Sequence, residues 1–582
     1  MYNVYNKIKL PWRNAMRAGL GNIVILNAMS VYGGHCLKRY RRIAKKSDNF
    51  GEKLLLNILK RNKNTELGKK LGFSDIKSIR DYQLKVPYSV YDDYADYIER
   101  MAKGGEQNLV TADRVSFFAT TSGTTGVTKR IPVVKRSYKP ILRAAAIIYR
   151  IIRQNMKGTG AWYGKGLNTL ESVSEHTESG IRQGYISSYV MSSAKHIVPA
   201  ITCIPKEVFG TGDRTDMKYI KARYSLADRD LVYLMSVFMS TTTDMIKYIL
   251  ENSAMLIRDI ETGAIDSSVK LPPEVRKKLE ARLRPDPKRA EELRRAIDPA
   301  DTDGIVARIW PKVSTVVAIG TGEFETFSRR MRAYCGPKIH FCHEMYAASE
   351  AILASSIEAD NADYFMIPDS GFFEFIPVDD DFDERTDRPL LMHELEEGKH
   401  YEVVVTNLAG LYRYRIKDVI KVTGHAGMIP LIRFAYRKEQ MINITGIKLT
   451  SEHMVSTMRA LSARLGVNII DYSIYADTDA EPWHIKAFIE FEGDIPEETE
   501  LDKLFDEELA KVNEEHGRML RIGESSSSVI CVMHRNAYRE LRSENAAKKN
   551  SDSQVKTIRY IGTKAMNDSF MKKVSRIVGE GK

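Results

Sequence analysis

The stretch from Phe117 to Val133 reads FFATTSGTTGVTKRIPV. Its centre, Thr120-Thr121-Ser122-Gly123-Thr124-Thr125-Gly126-Val127-Thr128-Lys129, holds two glycines, five threonines and a serine before the lysine. A loop of this composition is dense in hydroxyls and exposed backbone N–H groups, and such groups wrap phosphate oxygens. Lys129 adds positive charge at its end. The largely apolar run Val115 to Ala119 precedes the loop and Ile131-Pro132-Val133-Val134 follows it. The loop therefore sits at the end of a strand, where α/β sheets bind ligands. It is not a Walker A loop, which needs Gly-Lys-Ser/Thr in direct succession; here Val127 and Thr128 separate Gly126 from Lys129. In isolation such a string is more often an ordinary hydroxyl-rich surface turn. The rest of the chain decides between the two.

Two further strings follow in order. Phe341-Cys342-His343-Glu344-Met345-Tyr346-Ala347-Ala348-Ser349-Glu350 comes after the turn-like Cys335-Gly336-Pro337. An aromatic ring such as Tyr346 stacks on a purine, and small residues such as Ala347 and Ser349 let backbone approach a ligand. Glu350 offers an oxygen to Mg²⁺, which prefers carboxylate and phosphate ligands. The third string, Gly410-Leu411-Tyr412-Arg413-Tyr414-Arg415-Ile416-Lys417-Asp418-Val419, follows the strand-like Val403 to Thr406. Strand alternation puts Arg413 and Arg415 on one face and Tyr412 and Tyr414 on the other. Asp418 is a short acceptor suited to the two hydroxyls of a ribose. Alone, this string reads equally well as a charged edge strand.

Beyond residue 437 the pattern becomes compact. A helix over 451–465 is followed by strands at 469–476 and 485–491, an apolar-faced helix beginning at Leu501, and a strand at 528–533. That order reads as a small α+β domain, whereas strands and helices alternate through the preceding body as in an α/β fold. Near the end stands Ser553-Gln554-Val555-Lys556-Thr557-Ile558-Arg559.

Together these strings resemble the plant Gretchen Hagen Three family of acyl acid amido synthetases and its bacterial relatives, within the adenylate-forming superfamily. The resemblance includes Asn64-Thr65-Glu66-Leu67-Gly68, Val86-Pro87-Tyr88-Ser89-Val90-Tyr91 and Ile442-Asn443-Ile444-Thr445-Gly446-Ile447-Lys448, and is weakest between about 160 and 305. It implies a large N-terminal adenylate-forming domain over 1–437 and a smaller mobile α+β domain over 438–582, with a hinge near Tyr436 to Glu439. It implies ATP and Mg²⁺, held by Thr121, Ser122, Gly123, Thr124, Thr125, Gly126, Tyr346, Ala347, Ser349, Asp418 and Arg437. Glu350 would be the metal ligand, and Lys129, Glu350 and Lys556 would act in catalysis. The reaction implied is adenylation of a small carboxylic acid with release of pyrophosphate, then transfer of the acyl group to an amino acid. A thiol acceptor such as coenzyme A, or a non-catalytic nucleotide-binding relative, is the alternative. Two positions depart from the family: Lys417 replaces the usual Gly before the ribose-binding Asp, and Ile558 stands where Pro is usual. If the site needs φ > 0 at position 417, Lys would be strained there.

Composition sets the remaining bounds. At 582 residues the chain is too long for one core. Net charge is 88 − 76 = +12, which suits acidic ligands. The run Lys38-Arg39-Tyr40-Arg41-Arg42 is the best nucleic-acid candidate, but no recognition motif surrounds it and a solvated helix face is the expected reading. Ile23 to Leu26 is too short for a signal or membrane span, so a helix packed on the body is expected. Five scattered cysteines without CxxC point to reduced thiols in the cytoplasm and no zinc cluster. Neither nucleic acid nor membrane is expected as a partner. The acyl pocket should come from the middle segment, with Tyr149, Trp162, Tyr163, Met191 and Met239 as possible lining residues. The sequence specifies neither the acid nor the oligomeric state.

Overall fold

The computed structural model describes residues 18–45, 50–120, 129–159, 161, 163–170, 175–194, 196–209, 211, 216–378, 388–438, 441–444, 447–549 and 556–579. Position 162 and the loop residues 121–128 lie outside that set.

The body is built on three sheets. A parallel sheet runs Gly166–Asn168, Tyr233–Phe238, Thr315–Ile319, His340–Cys342. Its central strands, Tyr233–Phe238 and Thr315–Ile319, are almost wholly buried, as in parallel sheets covered on both faces. A seven-stranded antiparallel sheet follows in the order Gly371–Val378, His400–Asn407, Tyr414–Ala426, Ile429–Arg437, Tyr364–Met366, Ile352–Ser355, Met345–Ala347. The Tyr414–Ala426 strand lies between two neighbours, so the third string is central in its sheet rather than at an edge. The third sheet pairs Val115–Thr120 antiparallel with Arg130–Val134, and parallel with Arg182–Gly184. The hydroxyl-rich loop therefore connects two antiparallel strands.

Two apolar cores fill this body. One joins helices Ala18–Lys45, Phe50–Asn62 and Tyr138–Asn155 to the antiparallel sheets. The other covers the opposite face of the parallel sheet and contains the fully buried Trp310. Helix Ala18–Lys45 packs along Tyr138–Asn155, as the Ile23–Leu26 run leads one to expect. The basic run is divided by its own helix. Tyr40 is buried and donates to the carboxylate of Asp369, which the exposed Arg39 also reaches, while Lys38, Arg41, Arg42 and Lys45 face solvent. Arg143 reaches Asp369 from the neighbouring helix.

Residues from 449 onward form cores of their own. Five strands line up as Tyr560–Ile561, Ile469–Asp477, His484–Phe491, Val529–Met533, Val574–Val578. Helix Ser451–Leu465 begins at Thr450, whose hydroxyl accepts from the His453 N–H at 3.3 Å, and ends at Gly466 with φ 67°. Charged contacts tie this unit to the body. Asp244 and Glu251 on helix Met239–Glu251 meet Arg542 and Arg539 on helix Ala537–Lys549, at 3.2 and 2.5 Å. Arg330 and Glu325 meet Glu492 and Arg459, at 3.0 and 2.5 Å. Asp244, Arg330, Glu492, Arg539 and Arg542 line a cleft of about 230 Å³, with Asp303, Lys247 and Glu490 also on its wall.

Candidate active site

The parallel strands end together at Phe238, Ile319 and Cys342. Gly320 is required there: a Cβ would lie 2.2 Å from Ser328 Oγ, 3.0 Å from Met239 Cε and 3.5 Å from His343 Cε1. The second string leaves the sheet at this point and crosses to the antiparallel sheet as strand Met345–Ala347.

Tyr346 sits in that strand, and its hydroxyl donates to Asp418 Oδ2 at 2.9 Å. Arg437 Nε donates to Asp418 Oδ1 at 2.6 Å. The last contact follows from register, because Asp418 and Arg437 face each other across adjacent strands. Asp418 is almost fully buried, so it needs this pairing. The pairing holds the Arg437 guanidinium above its ordinary pKa, and burial with Asp418 beside it pushes the Tyr346 phenol well up. Tyr346 also packs its ring against Tyr364 and edge-on to Phe434, with centroids 6.1 and 5.9 Å away.

Glu350 lies close to this group. Its backbone carbonyl accepts from Asn407 Nδ2 at 2.8 Å. Burial raises its carboxyl pKa; Arg437 and, more weakly, Lys129 oppose that shift, while Asp418 adds to it. Its carboxylate makes no ion pair among the described residues. Five of the expected residues thus form one electrostatic neighbourhood: Tyr346, Glu350, Asp418, Arg437 and Lys129. Ala347 and Ser349 lie in the same segment, with Ala347 exposed at the strand end and Ser349 half-buried. Thr121, Ser122, Gly123, Thr124, Thr125 and Gly126 fall outside the described residues.

Lys129 emerges from the loop with its ammonium 5.8 Å from the centroid of Tyr91. The Tyr91 hydroxyl accepts from the Arg130 N–H at 3.0 Å and so fixes the base of the loop. Tyr91 belongs to the Val86–Tyr91 string, but nothing in that string announced a contact with residue 130. Asn407 was missed as well. Its signal was its place at the end of a strand, three residues before Gly410. That glycine adopts φ 106°, and a Cβ would lie 2.6 Å from the Val110 carbonyl oxygen.

The third string departs from simple alternation. Arg413 and Lys417 both adopt left-handed backbone, with φ 47° and 63°. Arg413 donates to Glu374 at 3.1 Å and to the Val86 carbonyl at 2.7 Å; Arg415 donates to Glu402 at 2.6 and 2.8 Å. Both guanidiniums lie over Tyr88, at 4.1 and 6.0 Å from its ring centroid. They do share a side, as alternation predicts, and they anchor the strand. Tyr412 is buried and donates to the Val110 carbonyl at 2.8 Å.

Lys556 approaches from the C-terminal unit. Its ammonium lies 5.0 Å from the Phe238 ring centroid, and Phe238 stacks on Phe324 at 4.8 Å. Lys556 therefore stands at the rim formed by the parallel strand ends. Of the possible pocket residues, Tyr149, Met191 and Met239 are buried. No group of three or more His, Cys, Asp or Glu suited to a metal occurs among the described residues.

Comparison with known proteins agrees with this architecture. The model of the GH3 family N-terminal domain matches residues 36–339, that of the central domain 364–437, and that of the C-terminal domain 452–565. The indole-3-acetic acid-amido synthetase GH3.8 of Oryza sativa subsp. indica is 30% identical, over 75% of this chain and 74% of that protein. The indole-3-acetic acid-amido synthetase GH3.10 of Arabidopsis thaliana is 26% identical, over 89% of this chain and 94% of that protein. The solved structure of the GH3.15 acyl acid amido synthetase superposes with a TM-score of 0.82 at 21% identity, covering 94% of this chain and 97% of that one. With all three family domains matched in order, this chain belongs to the GH3 family.

Proposed function

We propose that the chain is an ATP-dependent acyl acid amido synthetase that activates a small carboxylic acid as its adenylate and passes the acyl group to an amino acid. The observation that carries this reading is the convergence of Tyr346, Asp418, Arg437 and Glu350 at the end of the body's sheets, in a chain whose relatives are named amido synthetases.

A nucleotide fits the groups present. A carboxylate has about four acceptor positions. Asp418 uses two on Tyr346 and Arg437, leaving capacity for ribose hydroxyls. Tyr346 supplies an aromatic body for the base. Arg437 and Lys129 supply charge for phosphate oxygens, and the hydroxyl-rich loop ahead of Lys129 adds donors. A magnesium ion also fits, because Mg²⁺ is ordinarily held by one or two carboxylates with substrate phosphates rather than by an all-protein cage. Glu350 offers one such carboxylate. When bound, the ion would neutralise phosphate charge.

A carboxylate resists attack because its leaving group would be oxide; as a mixed anhydride with AMP it gains a good one. Negative charge concentrates on phosphate in that step, so positioning and electrostatics supply most of the catalysis. Arg437 and Lys129 hold the phosphates, and Lys556, entering with the C-terminal unit, bridges phosphate and acid. Division of the chain near 437/438, with movement of the second unit between half-reactions, gives Lys556 its access and the amine its later entry. The five cysteines are free thiols, four of them buried, which suits the reducing cytoplasm.

The test is pyrophosphate release with ATP and Mg²⁺ across a panel of carboxylic acids, with and without mixed amino acids, and mass detection of the amide. The expected result is acid-dependent release, an amide product when an amino acid is present, and loss of both in Glu350→Ala. Acid-dependent release that ignores amino acids and yields a thioester with coenzyme A would overturn the assignment of the acceptor.

A further inference from the structure

Glu344 lies two residues before Tyr346 and has only 9% of its surface exposed. Its backbone is held, since the carbonyl accepts from the Ser356 N–H at 3.4 Å. Its carboxyl has no hydrogen bond or ion pair among the described residues. Buried carboxyls are ordinarily paired.

Tyr149, Tyr364 and Cys342 surround it closely enough to feel its charge. Tyr233 donates its proton to the Ile201 carbonyl at 2.7 Å, so Tyr149, 3.4 Å from the Tyr233 oxygen, donates to Tyr233. The Cys342 thiol is directed at the His343 carbonyl, 3.7 Å away. Burial pushes the Glu344 carboxyl up to about 8. Glu344 stands just beyond the end of the parallel strand His340–Cys342, at the entry to strand Met345–Ala347 and beside Tyr149. Its neighbours Tyr149, Tyr364 and Cys342 are themselves buried. A protonated carboxyl in such a setting both donates and accepts, so it is free to recognise a polar group brought by a ligand.

We propose that Glu344 is a specificity-determining residue of the acyl pocket, selecting a carboxylic acid that carries an N–H or O–H group distant from its carboxylate. This rests on the acyl-adenylate reading above.

The test compares acids matched in shape, with and without a distal donor: 4-hydroxyphenylacetate against phenylacetate, and indole-3-acetate against naphthalene-1-acetate. Pyrophosphate release gives kcat/KM for each with the unsubstituted protein, Glu344→Leu and Glu344→Gln. The unsubstituted protein should prefer the donor-bearing member of a pair. That preference should fall at least about tenfold in Glu344→Leu, with the KM for ATP unchanged, because a site built to bond a polar group rejects the analogue lacking it. Glu344→Gln, which keeps shape and hydrogen-bonding capacity, should retain most of the preference and covers the case in which the leucine variant fails to fold. An unchanged preference in Glu344→Leu would overturn the inference, as would a rise in the KM for ATP with the preference intact, which would put Glu344 at the nucleotide. If the unsubstituted protein released no pyrophosphate with any acid, the acyl-adenylate reading itself would fail. Tm shifts on acid binding would then still decide: stabilisation by donor-bearing acids that Glu344→Leu abolishes supports the role, and equal stabilisation of both proteins removes it.

Discussion

The Lys556 ammonium lies 5.0 Å from the centroid of the Phe238 ring, bringing a residue of the C-terminal unit to the end of a strand in the body's parallel sheet. A cation over an aromatic face is worth about 0.5–1 kcal/mol at exposed sites. Lys556 is exposed, so the contact guides the lysine without locking it. Lys556→Ala should lower acid-dependent pyrophosphate release by about 10²–10³-fold, the range for losing one preorganised charge at a reacting phosphate. Amide formation from chemically supplied acyl-adenylate should fall far less, and Tm should stay within about 1 °C. Equal losses in both half-reactions would remove Lys556 from the adenylation step.

Ion pairs span the two units in the orientation that brings Lys556 to Phe238. Arg542 is shared between Asp244 of the body, at 3.2 Å, and Asp471 of its own unit, at 2.7 Å. Arg539 meets Glu251 two turns further along the same helix as Asp244. Reversing the body side with Asp244→Lys and Glu251→Lys sets like charges against both arginines and leaves the Arg542–Asp471 pair in place. Small-angle scattering should show a larger radius of gyration for the double variant. Adenylation should slow, and 0.5 M salt should weaken the effect because these pairs are partly exposed. An unchanged scattering profile would show that apolar contacts hold the orientation instead.

The regular elements were legible where period and turn signals agree. The helix expected at 451–465 is Ser451–Leu465, and the strands expected at 469–476 and 485–491 are Ile469–Asp477 and His484–Phe491. Prolines at their first turns mark helices Pro273–Glu280 and Pro287–Ala296, the second also capped by Asp286. Helices Met239–Glu251 and Ser253–Thr262 meet at Asn252 with no proline or glycine to mark the break. Polar pairings across distant segments were not legible. Tyr91 to Arg130, Asn407 to Glu350 and Arg542 to Asp244 depend on register and on which faces meet, and no local period encodes either. Asp418 could be singled out from its string, but its pairing with Arg437 needed the strand register.

Lys417 shows how a departure from a family pattern becomes a measurable strain. Its φ of 63° is the conformation that favours glycine, and it immediately precedes Asp418. Left-handed backbone costs a non-glycine residue about 1–2 kcal/mol, while glycine adds about 0.5–1 kcal/mol of unfolded-state entropy. Lys417→Gly should therefore be neutral to about 1 kcal/mol stabilising, with Tm raised by up to about 2 °C. The KM for ATP should stay within twofold if Lys417 serves only the turn. A large rise in that KM would assign the lysine's charge to the nucleotide.

The buried Glu344 carboxyl gives the stability a pH dependence of definite sign. Burial raises its folded pKa to about 8, against about 4.3 in an unfolded chain. A carboxyl raised on folding favours the native state while protonated, so its contribution is complete below the unfolded pKa. It declines as pH rises from about 4.3 towards 8 and is constant above that range. The charge burden falls on Glu344 alone, because Tyr149 and Cys342 are pushed up to about 12 and Tyr364 is also raised by burial, so all three stay neutral. Glu344→Gln cannot titrate. Its stability relative to the unsubstituted protein should be lowest near pH 4, grow through neutrality, and level off above pH 8 at an advantage on the order of a few kcal/mol. Denaturant midpoints at pH 5, 7 and 9 would read the trend. A difference that does not change with pH would mean that the Glu344 carboxyl titrates as it would in water, with its charge solvated or paired after all.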